Sequence, residues 1–375
     1  MFNFKQYDFK RYNIALLVVV FIIGCIGTYL IYQVQPSDWK RQLVGIIGGI
    51  IIAVVVSIFD YHFVCSFYVI LYIINMILLV MVRLVGEEKY HARRWLNLGF
   101  MEFQPSELSK IILIICIAKI FSMFREKINK AWVLLLSVVM VAVPTFLILI
   151  QTNLSTSLVI AFIFIMMVYA AGLSWKIILP IIVIGVPVVV GLFWYVQQDY
   201  QVLLQPYQQD RVVSFLHPEQ YPDLQFQQKN SVTAIGSGQL YGKVLNDSAG
   251  SARNYDKIPV SESDFIFSVA GEEFGFIGGL VIIILYAVII YICITTARRA
   301  PDYMGMLLAI GMASLFSFQL FVNIGVTTKI LPNTGIPLPF LSAGLSSAIA
   351  GAIAIGMIIN IRLQPQRTRG MGKSL

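Results

Sequence analysis

Residues 262–296 read ESDFIFSVAGEEFGFIGGLVIIILYAVIIYICITT. From Ile266 to Thr296 the run is apolar apart from Glu272, Glu273 and a few hydroxyls, and it exceeds the roughly 20 residues that cross a bilayer as a helix. Such a span tilts strongly or extends beyond the membrane. Four carboxylates, Glu262, Asp264, Glu272 and Glu273, gather at its start. The rest of the chain has the same character. Hydrophobic residues make up 58% of the 375, charged residues 12%, and mean hydropathy is +0.81. A soluble domain carries about 25% charged residues, so a soluble enzyme, a disordered chain and a nucleic-acid module are excluded. The formal charge of +8 is read as loops facing anionic lipid.

Ten spans emerge, roughly 14–33, 43–59, 62–83, 106–124, 132–151, 155–171, 177–196, 266–296, 304–327 and 341–361. The expected fold is an all-α polytopic membrane protein, a single membrane domain over 1–375 with a large loop, about 197–265, between helices 7 and 8. With the N-terminus inside, about thirteen Lys and Arg fall on the inner side, among them Lys5, Lys10, Arg11, Arg299, Arg362, Arg367, Arg369 and Lys373; about seven lie in the short outer loops. That bias predicts both termini in the cytoplasm. The first run lacks a cleavage site and is read as a retained span. Within the large loop, Ser231–Lys243 is apolar enough to dip toward the membrane. Cys25, Cys65, Cys116 and Cys293 lie in apolar runs and read as small core residues.

Chemistry concentrates at three places. The fourth span opens Phe103-Gln104-Pro105-Ser106-Glu107-Leu108-Ser109-Lys110. Pro105 suits a first helical position, and Glu107 and Lys110 share a face. They read either as a capped helix start with an interfacial ion pair or as a site; Lys110, more than a turn into an apolar run, favours a cavity or partner. Asp264 is either an N-cap or a general base or cation ligand where a head group arrives. For Glu272 or Glu273 a structural ion pair competes with catalysis. Three prolines, Pro332, Pro337 and Pro339, preclude a continuous helix before Ser342 and the small residues that follow. Such a segment is either a rigid turn or the lining of a cavity. Arg93, Arg94 and Trp95 add an anion-binding fork and an interfacial ring. No P-loop, Rossmann fingerprint, HExxH or CxxC is present, and His62, His91 and His217 are dispersed.

Taken in order, Arg94-Trp95 with Phe103-Gln104-Pro105-Ser106-Glu107-Leu108, Asp264-Phe265-Ile266-Phe267 with Glu272-Glu273-Phe274-Gly275, and Pro332-Asn333-Thr334-Gly335-Ile336-Pro337-Leu338-Pro339-Phe340 resemble the SEDS family (shape, elongation, division and sporulation), which includes RodA, FtsW and SpoVE. The loop reads closest to RodA. The resemblance implies a peptidoglycan glycosyltransferase that polymerises lipid II at the outer face of the cytoplasmic membrane, supported by a divalent cation (Mg2+ or Mn2+) and working with a class B penicillin-binding protein. It puts the family's essential aspartate at Asp264, also a tentative metal ligand, and its buried lysine at Lys110. Arg94, Glu107, Gln104, Ser106 and Ser342 join Lys110 as candidate substrate contacts. Partners would then be lipid II, undecaprenyl lipids and the membrane, with no nucleic acid. Two stretches depart from the family. Asn153-Leu154-Ser155-Thr156 stands where Asp-Leu-Gly-Thr is usual, and Ser342-Ala343-Gly344-Leu345-Ser346-Ser347 where Ser-Tyr-Gly-Gly-Ser-Ser is usual. The rival readings are a lipid II flippase and a scaffold that only activates its partner.

Overall fold

A backbone in lipid must satisfy its own hydrogen bonds, so apolar runs bounded by charged and turn residues fold as helices. The computed structural model describes residues 7–364, apart from 90–91, 98, 100–101, 199, 203–205, 218, 222–224 and 247–251. Lys5, His91, Arg367, Arg369 and Lys373 lie outside the described residues.

Four helices come first: α1 (Ile14–Val34), α2 (Trp39–Ile58), α3 (Tyr61–Ser66) and α4 (Tyr68–Val85). A small antiparallel sheet follows, of β1 (Glu87–Lys89), β2 (Ala92–Asn97) and β3 (Glu102–Phe103). Then come α5 (Pro105–Met123), α6 (Ala131–Ile150), α7 (Leu154–Ala170) and α8 (Trp175–Tyr195). The large loop is built of α9 (Pro206–Leu216), α10 (Phe226–Ser237) and α11 (Lys243–Asn246). Last are α12 (Ile266–Arg298), α13 (Tyr303–Thr327) and α14 (Leu345–Leu363). Eight of these, α1, α2, α4, α6, α8, α12, α13 and α14, are long and apolar enough to cross a membrane. The 17-residue α7 and the charge-bearing α5 complete the ten expected crossings. The chain is a multi-pass membrane protein with its chemistry-bearing loops at one end of the bundle and both described termini at the other. Asp8 N–H donates to Leu363 O (2.9 Å), which joins the two termini.

The helix α5 forms the axis of the bundle. Its apolar residues run right round the cylinder, and Ile111–Ala118 are all buried, as expected of a helix enclosed by others. It packs against α4, α7, α13 and α14. By contrast α8 lies at the rim, with Val183, Ile184 and Trp194 exposed as a lipid-facing surface. Small residues let α14 approach α2: a Cβ on Gly356 would sit 2.6 Å from the Ala53 carbonyl. Cys65, Cys116 and Cys293 are buried as expected, whereas Cys25 is exposed on the surface of α1.

The long eighth span is not one straight rod. It breaks at Gly275 (φ 67°, ψ −164°), a conformation open only to glycine. The break frees two amides, which the large loop satisfies: Phe276 N–H donates to Gln239 O (2.9 Å) and Ile277 N–H to Leu240 O (3.2 Å). Gly242, at φ 79°, passes so close to the Glu273 carbonyl that any side chain would collide there. The stretch 231–243 packs onto α12. The tenth span begins at Leu345, not 341, because the proline-broken connection runs on through Gly344.

Candidate functional site

The connection between α13 and α14 is irregular from residue 331 to residue 344, and several of its groups are tied to neighbouring elements. Asn323, near the end of α13, donates from Nδ2 to Ile336 O (2.7 Å) and to the Asp264 carbonyl (2.9 Å). Ser342 Oγ donates to Ser263 O (2.6 Å) and accepts from Leu338 N–H (2.8 Å). Ala343 N–H donates to Glu262 O (2.8 Å). The segment 262–264 is thus stitched on both sides to the broken connection. The buried Ser342 hydroxyl, expected as a substrate contact, is spent on this stitching.

Asp264 precedes α12 and is half-buried. Its carboxylate lies against Gly335 (φ 72°), where a Cβ would come within 2.9 Å of Oδ2 and 3.8 Å of Arg211 Nη1. Ser263 Oγ donates to Oδ1 (3.2 Å). Burial pushes this carboxyl above the usual carboxylate range; the Arg211 and Arg94 guanidiniums and the Ser263 hydroxyl pull it back, and Glu262 adds a smaller upward push. Arg211, on α9, also donates to Asn333 O (3.2 Å). It lines a small pocket with Leu154, Ser155 and residues Pro332–Thr334.

Arg94 reaches the same place from β2. It donates through Nε to Gln151 O (3.4 Å) and through Nη2 to Thr152 O, at the turn between α6 and α7. Thr152 holds φ 61°, a strained value for a β-branched residue. Asn153 caps α7, its Oδ1 accepting from Thr156 N–H (3.2 Å), while its amide donates to Ser106 Oγ (3.3 Å). An aspartate could cap α7 but could not make that second, donating bond. Ser155, in place of the family's glycine, donates to Thr334 O.

Lys110 and Glu107 form a buried ion pair, Nζ to Oε1 at 2.8 Å with side chains 2% and 5% exposed. Both are buried within the bundle. Gln104 is tied by its backbone: its N–H donates to Ser346 Oγ (2.9 Å), which in turn donates to Glu102 O (3.0 Å). The structure thus brings Arg94 into the field of Asp264 and pairs Lys110 with Glu107, while Gln104, Ser106 and Ser342 join elements together.

Glu272 and Glu273 take the structural alternative. Glu272 accepts from Lys243 Nζ (2.6 Å), Ser237 Oγ (3.0 Å) and the Asn254 and Tyr255 amides (2.8 and 2.9 Å). Glu273 accepts from Arg253 Nε and Tyr255 Oη, both at 2.8 Å. Two carboxylates in an apolar helix are balanced by cations of the large loop. Sequence reasoning missed Arg211 and Asn323. The only available signals were a cation in a Gln-rich helix and a polar residue near the end of an apolar one.

Among the described residues no cluster of three or more His, Cys, Asp or Glu converges on a metal position. The oxygens at Asp264 are nonetheless hard donors. Asn323, which binds the Asp264 carbonyl through Nδ2, and Thr334, which precedes Gly335, keep Oδ1 and Oγ1 buried without a hydrogen-bond partner among the described residues. One carboxylate with neutral oxygens fits a cation of the magnesium type, which takes its remaining ligands from phosphate and water.

Comparison with known proteins agrees with this architecture. The family model described as cell cycle protein, covering FtsW, RodA and SpoVE, matches residues 9–367. Stage V sporulation protein E of Bacillus subtilis is 32% identical over 366 residues, covering 93% of this chain and 96% of that protein. The probable peptidoglycan glycosyltransferase FtsW of Trichlorobacter lovleyi is 32% identical over 374 residues, covering 95% and 94%. Among solved structures, one described as showing structural coordination of polymerization and crosslinking by a peptidoglycan synthase complex superposes with a TM-score of 0.79 at 28% identity, covering 94% of this chain and 97% of that one.

Proposed function

The chain belongs to the SEDS family of FtsW, RodA and SpoVE, and from that premise we propose that it is a peptidoglycan glycosyltransferase polymerising lipid II at the outer face of the cytoplasmic membrane. The observation that carries the site assignment is the setting of Asp264: a half-buried carboxylate with a raised pKa, flanked by the guanidiniums of Arg211 and Arg94. The excess of Lys and Arg at the opposite end supports an outward-facing site and cytoplasmic termini.

In this reading the 4-hydroxyl oxygen of the acceptor sugar bonds to the anomeric carbon of the donor, and its proton passes to Asp264. The bond from that carbon to the pyrophosphate breaks, and the electron pair leaves with undecaprenyl pyrophosphate. A raised pKa suits Asp264 to accept the proton. Arg211 and Arg94 neutralise charge growing on the leaving group, and electrostatic stabilisation of this kind is often the largest catalytic contribution. The buried Lys110–Glu107 pair holds the start of α5, the helix whose Ser106 is tied to Asn153. Asp264, with the Thr334 and Asn323 oxygens, would hold a divalent cation, Mg2+ or Mn2+, which when bound supplies further positive charge for the pyrophosphate.

A flippase needs polar groups along the whole crossing. Below Lys110 the central helix is apolar and closed through Ile111–Ala118, which favours an enzyme with one outer site. We also propose a class B penicillin-binding protein as the crosslinking partner, in keeping with the complex described for the structural relative. The 32% identity to both the sporulation protein and the FtsW relative does not single out a branch.

Purified protein incubated with labelled lipid II, with and without chelator and partner, tests the proposal. Asp264→Asn should reduce glycan polymer to background while the melting temperature is kept. Normal polymer yield from that variant would refute the assigned role, and the scaffold reading would replace it.

A further inference from the structure

At the end of the bundle remote from Asp264, a polar basin opens between three elements. It is lined by Lys10 and Arg11 of the N-terminal segment, by Thr295, Thr296 and Arg299 at the end of α12, and by Arg362 at the end of α14. Four cations converge on it. Among the described residues Asp8 meets Arg11 at 3.0 Å, and Arg299 has a partner of its own. Both threonine hydroxyls donate back to Ile292 O (3.0 and 2.7 Å), so they form a floor and leave recognition to the cations. The carbonyl end of α12, which would repel an anion, is capped by Arg299 N–H on Thr295 O and Thr296 O (both 3.2 Å). Like charges around one cavity repel, and an anion between them relieves that repulsion.

The rim is apolar. Phe9 and Ile14 are 57% and 64% exposed, and Tyr291 and Ile294, on the last turns of α12, are 67% and 42% exposed. The helix α1, opened by Ile14, packs along α12. A phosphate held by the cations would therefore have its attached hydrocarbon directed along lipid-facing side chains. A free phosphate ion would make no use of that rim.

We propose that this basin binds the phosphate of an anionic phospholipid from the inner leaflet, where basic pockets between membrane helices meet such head groups. The site does not depend on the polymerase reading, since it shares no residue with the Asp264 site and is read out by lipid binding.

The test uses the full chain, stripped of lipid in detergent and titrated with short-chain phosphatidylglycerol, with phosphatidylcholine as control. Bound lipid is counted by native mass spectrometry. The wild type should retain phosphatidylglycerol over phosphatidylcholine. The Arg299→Gln/Arg362→Gln pair should weaken that retention about tenfold, and Arg299→Lys/Arg362→Lys should keep most of it. Should the paired glutamine variant fail to fold, Lys10→Gln at its exposed position gives the same readout with a smaller loss. Asp264→Asn should bind the lipid as the wild type does, which separates this site from the outer one. Equal phosphatidylglycerol retention by the glutamine variants would overturn the proposal. So would displacement by inorganic phosphate at the concentration at which phosphatidylglycerol itself competes, which would make the basin a site for a soluble anion.

Discussion

The carboxyl of Asp264 is raised by burial and lowered by Arg211 and Arg94. A base acts only when deprotonated, so the rate should climb as pH rises through its pKa. Removing Arg211 takes away a stabiliser of the charged form, and the pKa rises further. Arg211→Gln should therefore move the acid limb of kcat/KM for polymerisation to higher pH, and Arg211→Lys should move it less. At pH above that limb a residual loss of about a hundredfold is expected from the missing charge at the leaving group. A limb that stays in place would count against contact between the two side chains. Lys110 and Glu107 answer to a different balance. Breaking a buried pair leaves one uncompensated charge and costs about 3–5 kcal/mol, whereas replacing both partners costs far less. Lys110→Ala should lower the melting temperature sharply, and Glu107→Gln/Lys110→Met should recover most of the loss. Equal melting temperatures for the two variants would contradict the pairing.

At the level of elements, α12 shows why one helix needs the loop before it. Gly275 interrupts the helix, and the segment 236–242 closes on the interruption. Glu272 then fastens the far side of the loop through Lys243, Asn254 and Tyr255. Glu272→Ala leaves those donors without their acceptor and should detach residues 252–257. Hydrogen exchange at the Asn254 and Tyr255 amides should accelerate by at least tenfold, about 1.4 kcal/mol, and polymer yield should fall with Asp264 unchanged. Unaltered exchange would mean that the loop is held elsewhere. Helix positions were legible because each apolar run is bounded by charges, Gly or Pro. The break at Gly275 was not, because Gly-Phe-Ile-Gly-Gly within an apolar run is also ordinary in a continuous membrane helix.

For the molecule as a whole, the terminus-bearing end is clasped by His62. Its Nδ1 meets Asp60 Oδ1 at 2.9 Å and its Nε2 meets Asp302 Oδ2 at 2.6 Å. Gln364 Nε2 also donates to Asp60 Oδ1 (2.7 Å), so the α2–α3, α12–α13 and α14 ends are joined. Both ring nitrogens donate only in the imidazolium. Burial lowers the His62 pKa, but the hydrogen bonds and charges of Asp302 and Asp60 outweigh it and push it up to about 9. Burial likewise opposes the Asp60 charge, and the His62 and Gln364 bonds still bring its pKa down to about 2. A raised folded-state pKa contributes stability that is complete below the unfolded value near 6.5 and is lost as pH rises through about 9. A lowered one contributes above about 4 and is lost as pH falls through about 2. The melting temperature in detergent should therefore fall between pH 7 and 9.5, and His62→Gln should flatten that slope. An unchanged slope in the variant would sink the clasp.

Hydropathy, helix length and the spacing of Pro and Gly are properties of neighbouring residues. From them the sequence by itself determined the membrane class, the ten crossings, the large loop and the three motifs with Asp264 at their centre. Which side chains meet was decided only by the tertiary structure. Arg94 and Arg211 approach Asp264 from β2 and α9, Gly335 backs it from the α13–α14 connection, and Ser342 and Asn323 hold its backbone in place. These partners are separated by scores of residues along the chain, and their meeting depends on how helices pack, an arrangement that no local pattern encodes.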